Sequence, residues 1–234
     1  MPAIPPHWLH PADLKAARRA QDEMAASVIV ADEPRVPRLL GGADISTQRF
    51  DPARRVFAAL VTLDAAGREV SRATQADVAR FPYVPGFLGF REVPALVAAW
   101  DWLDPKPDLL LVDGHGIAHP RGVGVATQLG LMLDCPTIGV AKSQLVGEAG
   151  PLPDAVGAHV PLMWKGQRIG VVLRTRRGAN PVYVSVGHRV SLDRAIAVVL
   201  GTTQGRRLPA TTRAAHDVAN ACRRAALAAE AAAR

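Results

Sequence analysis

Cysteine and long apolar runs are scarce in this sequence, which argues against a disulfide-bonded scaffold and against a membrane protein. The chain of 234 residues contains 2 cysteines, which form neither a CxxC pair nor a disulfide framework. Its longest apolar runs, such as residues 57–63 and 195–200, are far shorter than the roughly 18 residues of a membrane span. The first residues also lack the basic and apolar regions of a signal peptide. We therefore expect a cytoplasmic protein with no membrane span.

Short catalytic motifs are equally scarce. The sequence has no Walker loop, no GxGxxG after a strand, no HExxH and no GxSxG, which argues against the enzyme classes that these motifs mark. The glycine-rich residues 114–124 are only loosely similar to a phosphate-binding loop, because no Gly-Lys-Ser or Gly-Lys-Thr follows them. A catalytic site in this chain would therefore have to combine residues from separate segments.

Basic residues outnumber acidic ones. The sequence has 28 Lys and Arg against 21 Asp and Glu, which gives a formal charge of +7 and a pI near 10.2. A pI above about 9 is expected of a nucleic-acid-binding protein, although a protein from an arginine-rich proteome would show the same excess. The candidates for a surface that follows a phosphate backbone are Arg174, Arg176, Arg177, Arg206, Arg207 and Arg213.

The order of the predicted elements indicates the class of fold. Strands are predicted at residues 38–47, 56–63, 70–74, 108–112, 137–140, 169–174 and 182–186. Helices are predicted at residues 13–31 and 92–103, up to about residue 133, and from Ser191 and Thr211 onwards. Strands in hairpins, followed by strands alternating with helices, indicate a single α/β domain with a mixed central sheet flanked by helices. Residues 1–37 would form an N-terminal extension and helix, residues 38–217 the main domain, and residues 218–234 an alanine-rich C-terminal helix or tail.

Three acidic residues lie where packing alone does not require them. Asp44 interrupts an otherwise apolar strand, Asp113 follows the apolar strand DLLLV, and Glu92 opens a helix. Ligand sites in open α/β sheets gather beyond the carboxyl ends of strands, and carboxylates that converge there could bind Mg²⁺. Each acid taken alone could equally be a turn residue or a helix-capping residue.

Histidines accompany these acids. His115 and His119 lie in one glycine-rich loop, DGHGIAHPRG, where a histidine beside an acid can orient water or a leaving group. Zinc is an alternative ion, but the sequence offers no cysteine partner here and carboxylates favour a harder ion. His216, in the last predicted helix, could be no more than a solvated surface residue.

Five segments together closely resemble the endonuclease V family. They are FPYVPGFLGFRE (81–92), PDLLLVDGHGIAHPRGVG (107–124), PTIGVAKS (136–143), VLRTRRGANPVYVSVGHRVSL (172–192) and RLPATTRAAH (207–216). The resemblance extends over residues 38–217, in order and with plausible spacing. It implies a ribonuclease H-like fold, a Mg²⁺ cofactor with Mn²⁺ as a substitute, and hydrolysis of DNA on the 3′ side of a deaminated base such as inosine. The second phosphodiester bond beyond the base would be cut.

The resemblance also implies roles for individual residues. Asp44 and Asp113 would be metal ligands, with Glu92 in the same acidic cluster. Lys142 would lie next to a phosphate, and His216 would belong to the surroundings of the metal.

Other residues would contact the damaged base. His119 would lie between the pocket for this base and the strand that is cut. Tyr83 would fill the gap that the displaced base leaves, and Gly86, Leu88 and Gly116 would line its pocket.

The chain departs from the family pattern at two places, and neither removes a ligand. The first strand reads GADIST where a β-branched residue usually precedes the aspartate, and Val186 replaces a usual proline. DNA with deaminated bases is the expected partner of a monomeric enzyme, and inosine-containing RNA is the alternative substrate. A pure binding module is disfavoured, because clustered carboxylates would repel phosphates unless a metal ion neutralised them.

Overall fold

The computed structural model describes residues 4–33, 35–48 and 51–232. The strands are β1 (Leu40–Thr47), β2 (Arg55–Leu63), β3 (Glu69–Val78), β4 (Leu109–Val112), β5 (Thr137–Ala141), β6 (His159–Trp164), β7 (Gln167–Leu173) and β8 (Val182–His188). The helices are α1 (Leu14–Ala26), α2 (Gly89–Trp100), α3 (Val125–Leu133), α4 (Leu192–Thr202) and α5 (Ala210–Ala232).

The strands form one sheet in the order β3-β2-β1-β4-β5-β8-β7-β6. The pairs β1–β4 and β4–β5 are parallel, and the remaining neighbours are antiparallel. The predicted mixed sheet is therefore confirmed. Within the described ranges, no helix combines the length and apolar character that crossing a membrane requires.

The central strand β4 is apolar because both of its faces are covered. Leu110 and Val112 belong to the core cluster that includes residues of α1, α2 and α3, whereas Leu109 and Leu111 belong to the cluster that includes residues of α4. This alternation follows from the two-residue period of a strand. Helix α1 is part of the first cluster, since Ala17, Ala20 and Met24 are fully buried in it.

Several element boundaries differ from the prediction. Helix α1 begins after Asp13, whose side chain accepts the Ala16 N–H at 2.7 Å and so caps the helix N-terminus. It ends at Ala26 rather than at residue 31, because the following segment bonds to the end of β8: the Ile29 carbonyl accepts the N–H of Arg189. Strand β3 continues beyond residue 74 to Val78, since its antiparallel pairing with β2 does not stop there.

Other differences concern β6, α2 and α5. Strand β6 was not predicted, because Pro161 interrupts its pattern; proline is tolerated there because β6 lies at the edge of the sheet. Helix α2 begins at Gly89, so Glu92 lies in its first turn rather than opening it. Helix α5 runs without a break from Ala210 to Ala232, so the alanine-rich residues after residue 217, predicted as a helix or tail, are helical as far as Ala232. The last two residues of that predicted tail lie outside the described residues.

Candidate active site

Two parallel strands bring Asp44 and Asp113 side by side. In the ladder between β1 and β4, Ala43 pairs with Val112, so the next residue of each strand is an aspartate. The Asp113 N–H donates to the Ala43 carbonyl at 3.0 Å, which extends the ladder by one step. Because β1 and β4 run parallel in this register, the two aspartates lie side by side at the carboxyl end of β4.

Helix α5 adds His216 to this pair. The His216 Nδ1 lies 2.7 Å from Oδ2 of Asp44, and the other carboxylate oxygen accepts the Ile45 N–H at 2.8 Å. The helix approaches β1 closely because residue 42 is glycine: a Cβ there would lie 2.0 Å from the Thr211 carbonyl oxygen. Gly42 and Asp44 are two residues apart on a strand, so both face α5.

A chain of hydrogen bonds orients the His216 ring from the Nε2 side, opposite Asp44. Asn220 Nδ2 lies 3.0 Å from His216 Nε2, and Asn220 Oδ1 accepts the Ser46 hydroxyl at 2.7 Å. Arg223 Nε donates to the same hydroxyl oxygen at 2.9 Å. If Asn220 donates to Nε2, the neutral ring carries its proton on Nδ1 and donates it to Asp44. Residues 216, 220 and 223 are one helical turn apart, and all three face β1.

Lys142 reaches the cluster from the loop after β5. Its ammonium group forms an ion pair with Oδ2 of Asp113. The Lys142 carbonyl accepts Arg207 Nη2 at 2.7 Å, and the same guanidinium also donates to the carbonyls of Asn180 and Pro181. Arg207 therefore uses its donors to hold the loop that carries Lys142.

The carboxylates repel one another. Burial, followed by the charge of Asp113, raises the pKa of Asp44. Burial, followed by the charge of Asp44, raises the pKa of the half-buried Glu92 to about 8. Such crowding favours either a proton or a cation at the cluster. The ligand atoms of Asp44, Asp113 and His216 lie within 4.8 Å of one another, which is close enough for one metal ion.

A cavity of about 280 Å³ opens beside the acidic cluster. Tyr83, Gly86, Leu88 and His119 line it, and Asp113 lines it as well. The space that would receive a ligand is thus continuous with one of the carboxylates. A larger cleft, about 620 Å³, lies between residues 9–15 and the start of the Phe81 loop, but none of the clustered acids lines it.

Comparison with known proteins identifies the family. A model described as Endonuclease V matches residues 22–217. The endonuclease V of Rhodospirillum centenum is 51% identical over 227 residues, which cover 96% of this chain and 95% of that protein. The chain belongs to the endonuclease V family.

Solved structures of endonuclease V share the fold. The crystal structure of the Streptomyces avermitilis protein has a TM-score of 0.87 and 42% identity, and the match covers 97% of this chain and 98% of that one. The Ciona intestinalis structure has a TM-score of 0.75 and 24% identity over 86% of this chain and 93% of that one. It is a complex with a 24mer DNA containing an inosine followed by a ribo-adenosine. The predicted ribonuclease H-like α/β fold is confirmed.

In this member of the endonuclease V family, Tyr83 lies at the rim of the cavity. It is 72% exposed, and the Arg91 guanidinium lies 5.9 Å from its ring centroid. The following residues, Val84 to Phe87, form a turn closed by the Phe87 N–H on the Val84 carbonyl at 3.0 Å. Gly86 has φ +79° at the third position of this turn and follows a proline, which is typical of a type II turn.

His119 is buried, and both of its ring nitrogens are engaged. Nδ1 accepts the Arg121 N–H at 3.3 Å, so Nε2 carries the proton and donates to the Gly86 carbonyl at 3.1 Å. Burial, with a smaller effect of Arg121, lowers the pKa of His119 to about 4. The ring is therefore neutral at pH 7, and it holds the Gly86 turn in place.

Gly116 was predicted to line the base pocket, but it lies against β8 instead. Its N–H donates to the Ser185 hydroxyl at 2.9 Å, and a Cβ there would overlap the Val186 carbonyl. The adjacent His115 does line the cavity. Its Nδ1 is buried and has no hydrogen-bond partner among the described residues. The sequence indicates His115 as a candidate but not this unpaired nitrogen.

Proposed function

We propose that this protein is a metal-dependent endonuclease that recognises inosine in DNA and hydrolyses a phosphodiester bond on the 3′ side of it. The bond cut would be the second one beyond the base, and the cut would initiate repair. The observation that carries the proposal is the cavity at Tyr83, Gly86 and Leu88, which Asp113 also lines. A displaced base in this cavity would leave its 3′ phosphates beside the acids. The inosine-containing DNA bound to the Ciona intestinalis protein supports this reading.

The side chains at the acidic cluster fit a divalent cation. Asp44 and Asp113 would hold it, and their carboxylate oxygens suit Mg²⁺, with Mn²⁺ as a substitute. When bound, such a cation would stabilise the negative charge that develops on the phosphate oxygens during hydrolysis. The crowding that raises the carboxyl pKa values of Asp44 and Glu92 supports the need for a positive ion here.

The residues of the chain would orient and neutralise the reacting groups. The His216 Nδ1–H, 2.7 Å from Asp44, would keep that carboxylate in one orientation. Lys142, paired with Asp113 and partly exposed, would supply a positive charge to the approaching phosphate. Glu92 would add negative charge that strengthens cation binding.

Base selection would depend on the loop at the cavity rim. Taking a base out of the stack costs a few kcal/mol, and inosine, which pairs less stably than guanine, costs less to extrude. The exposed Tyr83 ring would fill the vacated space. Hypoxanthine lacks the exocyclic amine of guanine, so a tight pocket excludes guanine by size. A backbone N–H would donate to the carbonyl oxygen of hypoxanthine, whereas the amine at the same position of adenine offers it no acceptor.

The same geometry would serve an RNA strand if the cleft tolerates a 2′-hydroxyl. A ribo-adenosine follows the inosine in the Ciona intestinalis complex, which favours inosine-containing RNA as the second candidate substrate. We further propose that the enzyme acts as a monomer in the cytoplasm. Both cysteines are unpaired, in keeping with a reducing compartment.

The test is cleavage of matched DNA and RNA oligomers, each with and without a single inosine, in the presence of Mg²⁺. We expect cutting only with inosine, and mapping of the products should place the cut at the second 3′ phosphodiester bond. The Asp113→Asn variant, which loses a ligand charge at constant volume, should fold but not cut. Equal cutting of oligomers without inosine, or wild-type cutting by Asp113→Asn, would reject the proposal.

A further inference from the structure

Three side chains converge on one backbone oxygen, the carbonyl of Gly86. Gln21 Nε2 donates to it at 2.9 Å, and His119 Nε2 and Arg121 Nη2 each donate at 3.1 Å. A carbonyl has two lone pairs, so these donors saturate the oxygen, and the Gln21 contact is the shortest of the three. The peptide that follows Gly86 is therefore held in one orientation, in a turn that has Tyr83 before it and Leu88 after it.

Gln21 comes from α1, outside residues 38–217. The buried stripe of α1 consists otherwise of Ala17, Ala20 and Met24, at the spacing of a helix face that packs on a core. Gln21 lies in this stripe and is 2% exposed. A buried amide is costly unless both of its ends are hydrogen-bonded, so packing alone does not account for a glutamine here.

Both ends of the Gln21 amide are used. Its nitrogen donates to Gly86, and its oxygen accepts Nε of Arg121. The reverse orientation would place oxygen against oxygen and nitrogen against nitrogen, so the two partners determine the orientation of the amide. Arg121 in turn stacks on Phe87, with its guanidinium carbon 4.3 Å from the ring centroid. The amide of Gln21 thus orients the guanidinium and the Gly86 carbonyl together.

We propose that Gln21 is a positioning residue for base selection, acting through the Gly86 turn rather than by contact with the base. This inference rests on the proposed function. A cavity that excludes guanine by the size of one amine needs a rigid wall, and the turn that contains Gly86 forms part of that wall. Loss of the Gln21 amide removes the shortest of the three hydrogen bonds to Gly86 and leaves Arg121 Nε without its acceptor. Arg121 is then no longer oriented towards the same carbonyl, and the turn can move. The acidic cluster is not in contact with Gln21, so the chemical step should be spared.

The test compares Gln21→Leu with Gln75→Leu in the full chain. Gln75, on β3, also donates its amide to a backbone carbonyl, that of Ala76 at 2.9 Å, but it lies away from the cavity. We measure single-turnover cleavage of inosine and guanine duplexes over a range of enzyme concentrations. In Gln21→Leu the preference for inosine should fall about tenfold, the equivalent of one net hydrogen bond. The loss should appear as a higher enzyme concentration at half-maximal cleavage of the inosine duplex, with the rate at saturation within about twofold of wild type.

Two further measurements keep the outcome clear. Amide hydrogen exchange in the free protein should become faster at residues 83–88 in Gln21→Leu and stay unchanged in Gln75→Leu. If Gln21→Leu does not fold, Gln21→Glu retains an acceptor for Arg121 but not the donor to Gly86, and it should lose the same preference.

The outcomes separate the inference from the function on which it rests. A wild-type enzyme that cuts inosine and guanine duplexes equally would reject the proposed function, a result that no Gln21 variant can produce. A folded Gln21→Leu variant that keeps the wild-type preference would overturn the inference. So would a loss of preference that Gln75→Leu shares.

Discussion

Replacing Gly42 with alanine should separate α5 from β1 and so dismantle the contact between His216 and Asp44. The added Cβ would lie 2.0 Å from the carbonyl oxygen of Thr211. That position is 1.4 Å closer than an ordinary van der Waals contact, and both sides are backbone, which has no rotamer with which to avoid the clash. If α5 moves away by this amount, the 2.7 Å separation of His216 Nδ1 and Asp44 Oδ2 grows to about 4 Å, beyond hydrogen-bond range.

The expected magnitudes follow from that displacement. Overpacking of this kind costs about 1–3 kcal/mol of unfolding free energy, which denaturant unfolding would measure. A misplacement of about 1 Å at a catalytic site can reduce the rate about a hundredfold. Calorimetry should show weaker Mg²⁺ or Mn²⁺ binding, because the loss of the His216 contact leaves Asp44 free to rotate.

Gly201→Ala is the matched control for this experiment. Gly201 lies in α4, and apart from its chain neighbours and the nearby backbone of its own helix, no described atom lies within 4 Å of the position that its Cβ would take. Alanine there should be neutral or stabilise the protein by up to about 1 kcal/mol, with unchanged metal binding. Wild-type metal affinity and cleavage in Gly42→Ala would refute the reasoning, because the close approach of α5 would then not be what places His216.

Three further predictions concern nucleic-acid contact, base selection and pH. The double variant Arg176→Ala, Arg177→Ala should bind all DNA sequences more weakly. The slope of log affinity against log salt concentration should become shallower by up to about 2, since each phosphate contact contributes about 0.9. An unchanged slope would indicate that this exposed turn does not contact DNA. Tyr83→Ala should weaken inosine binding and selectivity in a gel-shift assay while retaining metal-dependent cleavage at saturating enzyme; if cleavage is lost at saturation, Tyr83 takes part in the chemical step. Mg²⁺ affinity, measured by calorimetry, should rise as the pH is raised to about 8. The cation displaces a proton from a cluster in which the pKa of Glu92 is raised to about 8. An affinity that does not change with pH would contradict this.

Strand polarity made the acidic pair predictable. Asp44 lies within β1 and Asp113 directly follows β4, two strands that are clear in the sequence and that run parallel. Once β1 pairs with β4 in this register, the two carboxylates lie together. The confirmed fold class depended on the same clear alternation of strands and helices.

Residues whose positions depend on helix packing were less predictable. The spacing of His216 within its helix could not distinguish a surface residue from a partner of Asp44, because the contact depends on how closely Gly42 lets α5 approach. The part played by Gln21 depends likewise on where α1 docks. Gly116 seemed suited to a pocket because glycine permits close approach, but the group that approaches is the backbone of β8.

The partners Asp44 and His216 are 172 residues apart in the chain. A nascent chain is released from its N-terminal end, so both aspartates leave the ribosome well before α5 has been made. Until α5 docks on β1, Asp44 lacks the histidine partner that orients its carboxylate. The order of synthesis therefore delays completion of the site to the last helix. A chain interrupted before α5, or cleaved between α4 and α5, would carry the carboxylates of a nuclease without its assembled site.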